Sequence, residues 1–426
     1  MRTLRFIGRG FFVFFLLLVY GLVWFVGWLA LLLTLNGKDV RQAWFGRRLA
    51  ALLVGLGATF VKVGQIMSTR PDLFPPHIIV ALTRLQDNVG AFSWKDVERT
   101  ILADLGKPID ELFATFDRTP VASASVAQVH RATILGSNEE VAVKVRRPGL
   151  DDLVRFDLSI MRLFAKVISI IPTIRLLAPV ESVDEFGRSI LAQIDLRIEA
   201  ANNHRFTENF AGDKDIAFPT LYPELCGRLV LTMKFIHGVK VLDAPAARGT
   251  DGTRLAKIGF RTLLKMVFAD GFVHADLHPG NIFVDDAGMV VILDLGLTAE
   301  LDDPTRRAFA LFFASWAGRN GKVMAKLMSD LSPSSRVADY AAYEREVEEF
   351  VARYHGKALG EVQVSTVAFD MFNILRRHRV RVNPVYTMCN VAIAVTEGIG
   401  KQLDPRLDLV QEALPFFATI RDAGRL

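Results

Sequence analysis

Residues able to perform phosphoryl-transfer chemistry are concentrated in one stretch, 272–296, with the sequence FVHADLHPGNIFVDDAGMVVILDLG. His274, Asp276 and Asn281 follow the H-x-D-x-x-x-x-N spacing of a kinase catalytic loop, and Asp294 comes thirteen residues after the asparagine. In such a site one carboxylate orients the attacking hydroxyl, while an amide and a second carboxylate hold Mg²⁺ on the phosphates. The spacing predicts Asp276 as the catalytic carboxylate, with Asn281 and Asp294 as metal ligands.

The segment between these residues must bring them together. IFVDDAGMVVIL has the pattern of two short strands around the turn DDAG, which predicts that Asp294 returns beside Asn281. A zinc hydrolase is the rival interpretation, because His274 and His278 are four residues apart and could share a helical face. Pro279 breaks such a helix and no third ligand is apparent, so zinc is disfavoured.

A kinase-like site also needs a strand lysine, and VAVKVRR places Lys144 in the context of the V-A-I-K motif. A carboxylate on a following helix should pair with it, and we predict Glu199, with Asp195 one turn earlier. A solvated helix face is the alternative for Glu199. The usual glycine-rich phosphate loop is absent. Its position is occupied by the alanine-rich segment that we predict to contact the nucleotide: Ala122, Ser123, Ala124, Ser125 and Val126.

The periodicity of the rest of the chain predicts an α+β fold with helices before and after a small sheet. Strand-like VAQVHRATI and VAVKVRR flank a turn-rich segment, as in an antiparallel hairpin. Ser93 is a plausible N-cap for one of the helices. The predicted helices cover residues 41–69, 77–87, 93–105 and 181–210, a strand covers 228–238, and the chain after Gly252 is mostly helical.

Charge is distributed unevenly along the 426 residues. The net charge is +5 and the pI about 9.2, yet the first 70 residues hold nine Lys and Arg against one Asp, leaving 42 basic and 45 acidic residues elsewhere. A basic N-terminal region before a slightly acidic body favours a membrane surface over nucleic acid as partner. The two cysteines, Cys226 and Cys389, are predicted to be reduced thiols.

An apolar segment precedes the catalytic motifs. No charged residue occurs between Arg9 and Lys38, and a helix over Phe11–Leu35 would extend about 37 Å at 1.5 Å per residue. We predict a tail over 1–9 and one transmembrane helix over 10–37, with an interfacial or re-entrant helix as the alternative. Arginines and lysines on both sides leave its orientation undetermined.

Together these motifs resemble the UbiB/AarF family of atypical kinases. The resemblance extends from about residue 45 to the end of the large lobe and rests on KVGQ (Lys62, Gly64, Gln65), ASASVAQVHRA, VAVKVRRPG, QIDLRIEAAN, HADLHPGN and DLG. It implies that a helical extension with the K-x-G-Q motif lies over the active site. There Lys62 would meet an E-x-D motif, represented here by Gln193 and Asp195. Gln193 replaces the motif's glutamate, which weakens the expected charge pairing around Lys62.

The family resemblance implies a two-lobed protein-kinase-like fold that binds ATP and Mg²⁺, with backbone contacts to adenine at Phe235. The implied domains are the helical extension over 38–118, a small lobe over 119–240 and a large lobe over 241–426. Five side chains would then converge on one magnesium-triphosphate: Lys144, Glu199, Asp276, Asn281 and Asp294.

The resemblance also implies a role in isoprenoid quinone (ubiquinone) biosynthesis at a membrane, with ATP hydrolysis or phosphorylation of a small or lipid-derived compound. Expected partners are membrane lipid and quinone-biosynthesis proteins or lipid precursors, without nucleic acid. The supply of ATP implies cytoplasmic lobes, as at a bacterial inner membrane. A protein serine/threonine kinase and a non-catalytic, nucleotide-gated lipid-binding scaffold remain alternatives.

Overall fold

The protein folds as two compact units. A computed structural model describes residues 2–33, 37–68, 70, 74–83, 85, 90–171, 179–332, 337–354, 364–380, 382–406 and 416. The first unit comprises Met1–Ser68, Phe74–Ala200 and Thr220–Phe235, and the second comprises Thr69–Leu73, Ala201–Pro219 and Ile236–Leu426. Both units combine helices with a sheet, which confirms the predicted α+β class.

Four helices open the first unit: α1 (Arg2–Leu33), α2 (Lys38–Leu56), α3 (Ala58–Ser68) and α4 (Pro76–Leu82). The tail predicted over 1–9 is helical from Arg2, and residues 34–36 of the predicted membrane helix lie outside the described residues. The single helix predicted over 41–69 is wrong. Gly57 separates α2 from α3 with φ of +97°, a conformation that glycine tolerates far better than other residues, and its N–H donates to the Leu53 and Val54 carbonyls.

The sheet of the first unit follows α5 (Trp94–Leu105) and α6 (Ile109–Leu112). Its strands are β1 (Phe113–Phe116), β2 (Ala122–Ser123), β3 (Ala127–Ile134), β4 (Glu140–Arg146) and β6 (Val230–Lys234), in the order β1-β3-β4-β6 with β2 on β3. The predicted β3–β4 hairpin is confirmed, with Lys144 opposite Val129. Val141, Val143 and Val145 are fully buried in the core below.

Three helices lie between β4 and β6 in the chain: α7 (Leu150–Ile168), α8 (Pro179–Gln193) and α9 (Leu196–Asn209). The single helix predicted over 181–210 is therefore wrong. The backbone turns at Ile194 and Asp195, where the Asp195 side chain accepts a hydrogen bond from the Arg197 N–H at 3.2 Å. A carboxylate that satisfies an N–H in the first turn favours a new helix start at this position.

The second unit contains the sheet β5-β10-β9-β7, formed by β5 (Ile216–Ala217), β7 (Gly238–Lys240), β9 (Ile282–Asp285) and β10 (Val290–Ile292). A separate pair joins β8 (Phe272–His274) to β11 (Thr298–Glu300). The predicted helical character after Gly252 is confirmed by a large helical core. Its helices are α10 (Ala244–Arg248), α11 (Gly252–Leu264), α12 (Asp303–Ala317), α13 (Gly321–Asp330), α14 (Tyr340–Tyr354), α15 (Val364–Arg377) and α16 (Pro384–Leu403).

Candidate active site

Lys144 and Glu199 form an ion pair in the first unit. Lys144 projects from β4, and its Nζ lies 2.9 Å from Oε1 and 2.8 Å from Oε2 of Glu199 on α9. The side chains are only 15% and 6% exposed. A charged pair this deeply buried must be held in place by its surroundings, because removing two charges from water is costly. The solvated-face alternative for Glu199 is therefore wrong.

Arg146, two residues after Lys144 on the same strand, fixes the start of α9. Its Nη1 donates to the Ile194 carbonyl at 2.8 Å, at the end of α8, and the residue is 4% exposed. Across the sheet, the N–H of Leu196 donates to the Arg228 carbonyl at 3.1 Å. These two bonds join the first turn of α9 to β4 and to the segment before β6. They thereby determine where Glu199 lies relative to Lys144.

The alanine-rich segment forms a tight turn between β2 and β3. Ala122 and Ser123 pair with Val129 and Gln128, and the Ala124 N–H donates to the Ala127 carbonyl at 2.8 Å. Because its turn is closed by backbone bonds of its own, the segment adopts a defined conformation without the glycines of a usual phosphate loop.

Arg147 fastens this turn to the end of β4. Its backbone N–H donates to the Val126 carbonyl at 2.8 Å, and its guanidinium donates to the carbonyls of Ala124 and Ser125, both at 3.2 Å. Three carbonyls of the predicted nucleotide-contacting segment therefore point to one arginine. The segment can then offer a ligand its N–H groups and small side chains rather than these oxygens.

The predicted adenine-contacting residue, Phe235, continues β6. Its N–H donates to the Glu140 carbonyl at 3.0 Å, and the Arg131 guanidinium lies 5.1 Å from its ring centroid. The N–H is thus engaged at the edge of the sheet. A backbone contact between Phe235 and adenine would have to use its carbonyl oxygen.

In the second unit, the catalytic-loop residues are held by a compact set of hydrogen bonds. The Asp276 N–H donates to Nδ1 of His274 at 3.1 Å, and the Asn281 amide donates to the Asp276 carbonyl at 3.2 Å. Since Nδ1 of His274 accepts, its Nε2 is the donor to the Leu293 carbonyl at 3.3 Å. His274 is fully buried, and burial lowers its pKa against the opposing effect of the Asp276 carboxylate.

The predicted hairpin joins Asn281 to Asp294. Strands β9 and β10 pair antiparallel around the turn, and the Leu293 N–H donates to the Asn281 carbonyl at 2.8 Å. Asp294 follows with φ of +54°, a left-handed conformation that is uncommon outside glycine, although aspartate and asparagine adopt it more readily than most residues. Uncommon backbone conformations of this kind are concentrated at functional sites, and here one occurs at the predicted metal-binding aspartate.

The donor set of this loop fits Mg²⁺ better than Zn²⁺. The described residues include no group of three or more His, Cys, Asp or Glu able to hold a metal. Nδ1 of His274 and Nδ1 of His278 each accept a backbone N–H, at 3.1 and 3.0 Å. Magnesium typically takes one or two protein oxygens together with phosphates, and the Asn281 amide directs its nitrogen to the protein, which leaves Oδ1 as the ligand atom.

The K-x-G-Q motif lies on α3. Gly64 is required by packing, because a Cβ there would come within 2.5 Å of a Leu85 methyl and 2.8 Å of a Leu53 methyl. Gln65 donates to the Leu85 carbonyl at 3.3 Å. The motif therefore joins α3 to α2 and to the chain after α4.

The predicted pairing of Lys62 with Asp195 is wrong. Both Asp195 oxygens accept from the Arg197 guanidinium at 2.9 and 2.7 Å, and hydrogen bonding to Arg197 lowers the pKa of Asp195. Within the described ranges, Lys62 forms no ion pair. Gln193, at the position of the motif's glutamate, donates to the Ser189 hydroxyl at 3.2 Å. Two nearby arginines, Arg197 and Arg228, thus supply the positive charge expected from Lys62.

Sequence interpretation overlooked the two arginines that position these groups. Arg146 and Arg147 end the motif segment VAVKVRR, two and three residues after the lysine, but their roles depend on partners about 50 and 20 residues away, respectively. The alternation of side chains along a strand is the sequence signal that could have identified Arg146. Because residues i and i+2 share a face of a strand, Arg146 must project on the same side as Lys144.

Comparison with known proteins identifies the family. Residues 84–328 match the ABC1 atypical kinase-like domain, and residues 347–408 match the UbiB helical domain. The chain is 36% identical over 381 residues to a probable protein kinase UbiB from Tolumonas auensis, covering 87% of this chain and 69% of the relative. Its counterpart in Vibrio parahaemolyticus is 35% identical over 378 residues, with 87% and 70% coverage.

A solved structure supports the fold. The protein Rv3197 of Mycobacterium tuberculosis, determined in complex with erythromycin, superimposes with a TM-score of 0.53 at 23% identity, over 82% of this chain and 90% of that chain. This similarity and the domain match confirm the predicted kinase-like fold. The catalytic-loop residues, the strand lysine and its glutamate all lie within the region that matches the ABC1 domain. The chain belongs to the UbiB family of atypical kinases.

Proposed function

We propose that this UbiB-family protein binds Mg-ATP and supports isoprenoid quinone (ubiquinone) biosynthesis, by phosphoryl transfer to water or to a small or lipid-derived acceptor. The Lys144–Glu199 ion pair is the observation on which the proposal chiefly rests. A strand lysine held by a helix carboxylate is the arrangement with which kinases bind the α- and β-phosphates. Burying an ion pair whose side chains are only 15% and 6% exposed costs desolvation free energy, so such a pair is expected where it serves a function.

Each of the other predicted site residues has a proposed role. Asp276 would orient the acceptor hydroxyl or water and accept its proton, and Asn281 and Asp294 would hold Mg²⁺. When bound, the metal would neutralise charge on the phosphate oxygens. The alanine-rich turn and Phe235 would contact the nucleotide. The hydrogen bonds within the loop support this assignment, because they orient Asp276 and Asn281 without using the atoms assigned to the reaction.

The apolar helix α1 supports a membrane location. Its segment Ile7–Leu31 has a mean hydropathy of 2.4 and is long and apolar enough to cross a bilayer. We propose that α1 tethers the protein to a membrane, with the catalytic residues on the cytoplasmic side where ATP is supplied. Membrane lipid, quinone-biosynthesis proteins and lipid precursors are the proposed partners. An acceptor drawn from the membrane would agree with this tether.

ATP turnover by the detergent-purified full chain tests the proposal. Asp276→Asn should lower Mg-dependent turnover by about 10²- to 10⁴-fold, the usual contribution of a positioned acid or base. Asp286→Asn is a matched control, since this carboxylate lies in the β9–β10 turn and is 73% exposed. Turnover unaffected by both Asp276→Asn and Asp294→Asn would refute the assignment.

The fate of the γ-phosphate distinguishes the acceptors. Labelled ATP should yield free phosphate or a labelled compound in a lipid extract, with stimulation by a quinone-precursor mimic. Label on a polypeptide would instead indicate a serine/threonine protein kinase. Nucleotide binding with no product in any fraction would indicate the scaffold function.

A further inference from the structure

Helix α1 packs against the first unit along one continuous stripe. The stripe consists of Arg9, Val13, Leu16, Tyr20 and Trp24, spaced three or four residues apart on one face of the helix. Val13 is 2% exposed, and the apolar members of the stripe pack into a core with Leu52, Leu56 and Phe60 of α2 and α3. Helix α1 is thus an integral part of the unit rather than an appendage.

The N-terminal end of this stripe is held by charge. The Arg9 guanidinium donates to both carboxylate oxygens of Asp157 on α7, each at 2.9 Å, and to the Leu56 carbonyl at 2.6 Å. Asp157 is fully buried. Losing this arginine would leave a buried carboxylate uncompensated, so the contact strongly favours keeping this end of α1 against α7.

The C-terminal end of the stripe is held by close packing against α2. The Trp24 and Phe45 ring centroids are 5.1 Å apart, and a Cβ at Gly27 would lie 2.2 Å from the Trp44 ring. Such an approach requires glycine. Between the two ends, the Tyr20 hydroxyl donates to the Ala51 carbonyl at 3.3 Å.

These contacts disfavour a single crossing of the bilayer by α1. Arg9 and Gly27 are separated by about 27 Å along a helix, close to the full hydrocarbon thickness. If α1 crossed, the α2 segment beside it would enter the hydrocarbon with the exposed Arg47 and Arg48. Arginines in that position are strongly disfavoured.

The side of α1 that faces away from the unit is apolar throughout. Its strongly exposed residues include Phe11 (70%), Phe14 (62%), Leu18 (59%), Leu22 (63%) and Phe25 (63%). Scattered exposed apolar residues are ordinary in soluble proteins, but a contiguous strip of this length marks an interaction surface.

Helix α7, which binds α1 through Asp157, carries a second exposed apolar face at its C-terminal end. Leu163 (65%), Phe164 (55%), Val167 (54%), Ile170 (79%) and Ile171 (50%) recur at helical spacing on one side of α7 and of the three residues that follow it. Exposed cationic side chains lie on α7 itself and on α2, which packs against α1. They are Arg47 and Arg48 on α2 and Lys166 on α7, all of them exposed.

We propose that α1 lies in the plane of the membrane and that, together with the C-terminal face of α7, it forms a monotopic docking face for an anionic bilayer. The outward strips of α1 and α7 enter the acyl region, and the neighbouring cations contact lipid headgroups. The bilayer is favoured over a protein partner, because apolar strips flanked by cations match the layered chemistry of an anionic lipid surface. The proposal concerns attachment only and is independent of nucleotide turnover.

The in-plane arrangement is tested by finding on which side of the membrane each end of α1 lies. In full-length protein with Cys226→Ser and Cys389→Ala, cysteine is placed at Gly8, Gly37 or Leu135. A Cβ at either glycine meets no atom within 4 Å, and Leu135 is a 52% exposed residue in the β3–β4 turn that marks the side of the catalytic unit. A membrane-impermeant maleimide should label all three in inverted inner-membrane vesicles and none in spheroplasts. Labelling of Gly8→Cys from the opposite side to Leu135→Cys would establish a crossing and overturn the proposal.

Depth-dependent quenching tests the α7 face. An environment-sensitive fluorophore on Ile170→Cys, in vesicles of phosphatidylcholine with about one-third phosphatidylglycerol, should shift to the blue and be quenched by doxyl-labelled lipid. Quenching should weaken in pure phosphatidylcholine, and Leu135→Cys should show neither effect. A blue shift without doxyl quenching, as a second copy of the chain on this face would produce, would overturn the α7 contact, as would an unshifted probe.

Discussion

The Lys144–Glu199 ion pair makes a sharp prediction about stability. Glu199→Gln preserves the size and hydrogen-bonding shape of the side chain but removes its charge. Lys144 Nζ would then remain at about 15% exposure with an amide in place of a carboxylate 2.8 Å away. The variant therefore measures what the Glu199 carboxylate contributes to stabilising the buried ammonium.

The expected magnitude follows from the geometry. At 2.8 Å and an effective dielectric constant near 20, the attraction between the two charges is about 6 kcal/mol, most of which offsets their desolvation. Breaking a buried pair by removing one partner costs about 3 to 5 kcal/mol, and the partial exposure of Lys144 favours the lower value. A loss of about 3 kcal/mol lowers Tm by roughly 6 to 12 °C for a unit of this size.

Thermal unfolding without nucleotide measures the effect, and a double variant isolates its cause. Lys144→Met combined with Glu199→Leu removes both charges and should be more stable than either single variant, because neither charge is then buried beside a neutral replacement of the other. The exposed pair of Arg162 and Asp184, which are 52% and 37% exposed, provides the control. Asp184→Asn should cost less than about 1 kcal/mol.

Two results would contradict this reasoning. If Glu199→Gln lowered Tm no more than Asp184→Asn, the buried pair would contribute no more than a surface pair. If the double variant were less stable than both single variants, packing rather than charge would account for the loss.

Three further predictions concern other parts of the chain. Gly64→Ala should cost about 1 to 3 kcal/mol by overpacking, measured as a lower Tm, because its Cβ would come within 2.5 Å of a neighbouring side chain. Hydrogen bonding from Arg197 lowers the pKa of Asp195 from 3.8. The contribution of the Asp195 carboxylate to stability is therefore complete above about pH 4 and is lost as the pH falls through the lowered pKa. Asp195→Asn should reduce the acid-induced fall in Tm. Burial raises the pKa of Cys389 to about 12, so at pH 8 maleimide should label Cys226 first in folded protein and both thiols equally after denaturation.

The sequence was most informative where function depends on short-range spacing. The H-x-D-x-x-x-x-N loop and the hairpin that returns Asp294 to Asn281 involve partners within about 20 residues, so strand patterning and turn chemistry suffice to predict them. The Lys144–Glu199 pairing spans 55 residues and depended on the kinase motif, because periodicity alone does not specify which helix carboxylate reaches a strand lysine.

The helix boundaries show why the remaining features escaped prediction. Hydrophobic periodicity continues through Gly57 and through the Ile194–Asp195 turn, so each pair of helices looked continuous. The break at Ile194 is stabilised by tertiary partners, since Arg146 on β4 and the Arg228 carbonyl bind on either side of it. Contacts between distant segments override local propensity in this way without leaving a local sequence signal.

The same reasoning explains how the alanine-rich turn can replace a glycine-rich loop. Strand β4 and the residue after it supply Lys144 to Glu199, Arg146 to the Ile194 carbonyl and Arg147 to the Ala124 carbonyl. Side chains of one segment thus connect the lysine proposed to bind phosphate, the helix that carries its partner and the turn predicted to contact nucleotide. A glycine-rich loop closes over phosphates because its backbone is free to move, whereas this turn is tied by three carbonyls to Arg147. Nucleotide selection in this protein should therefore depend on a pre-formed turn, and it should be as sensitive to Arg147 as to the alanines themselves.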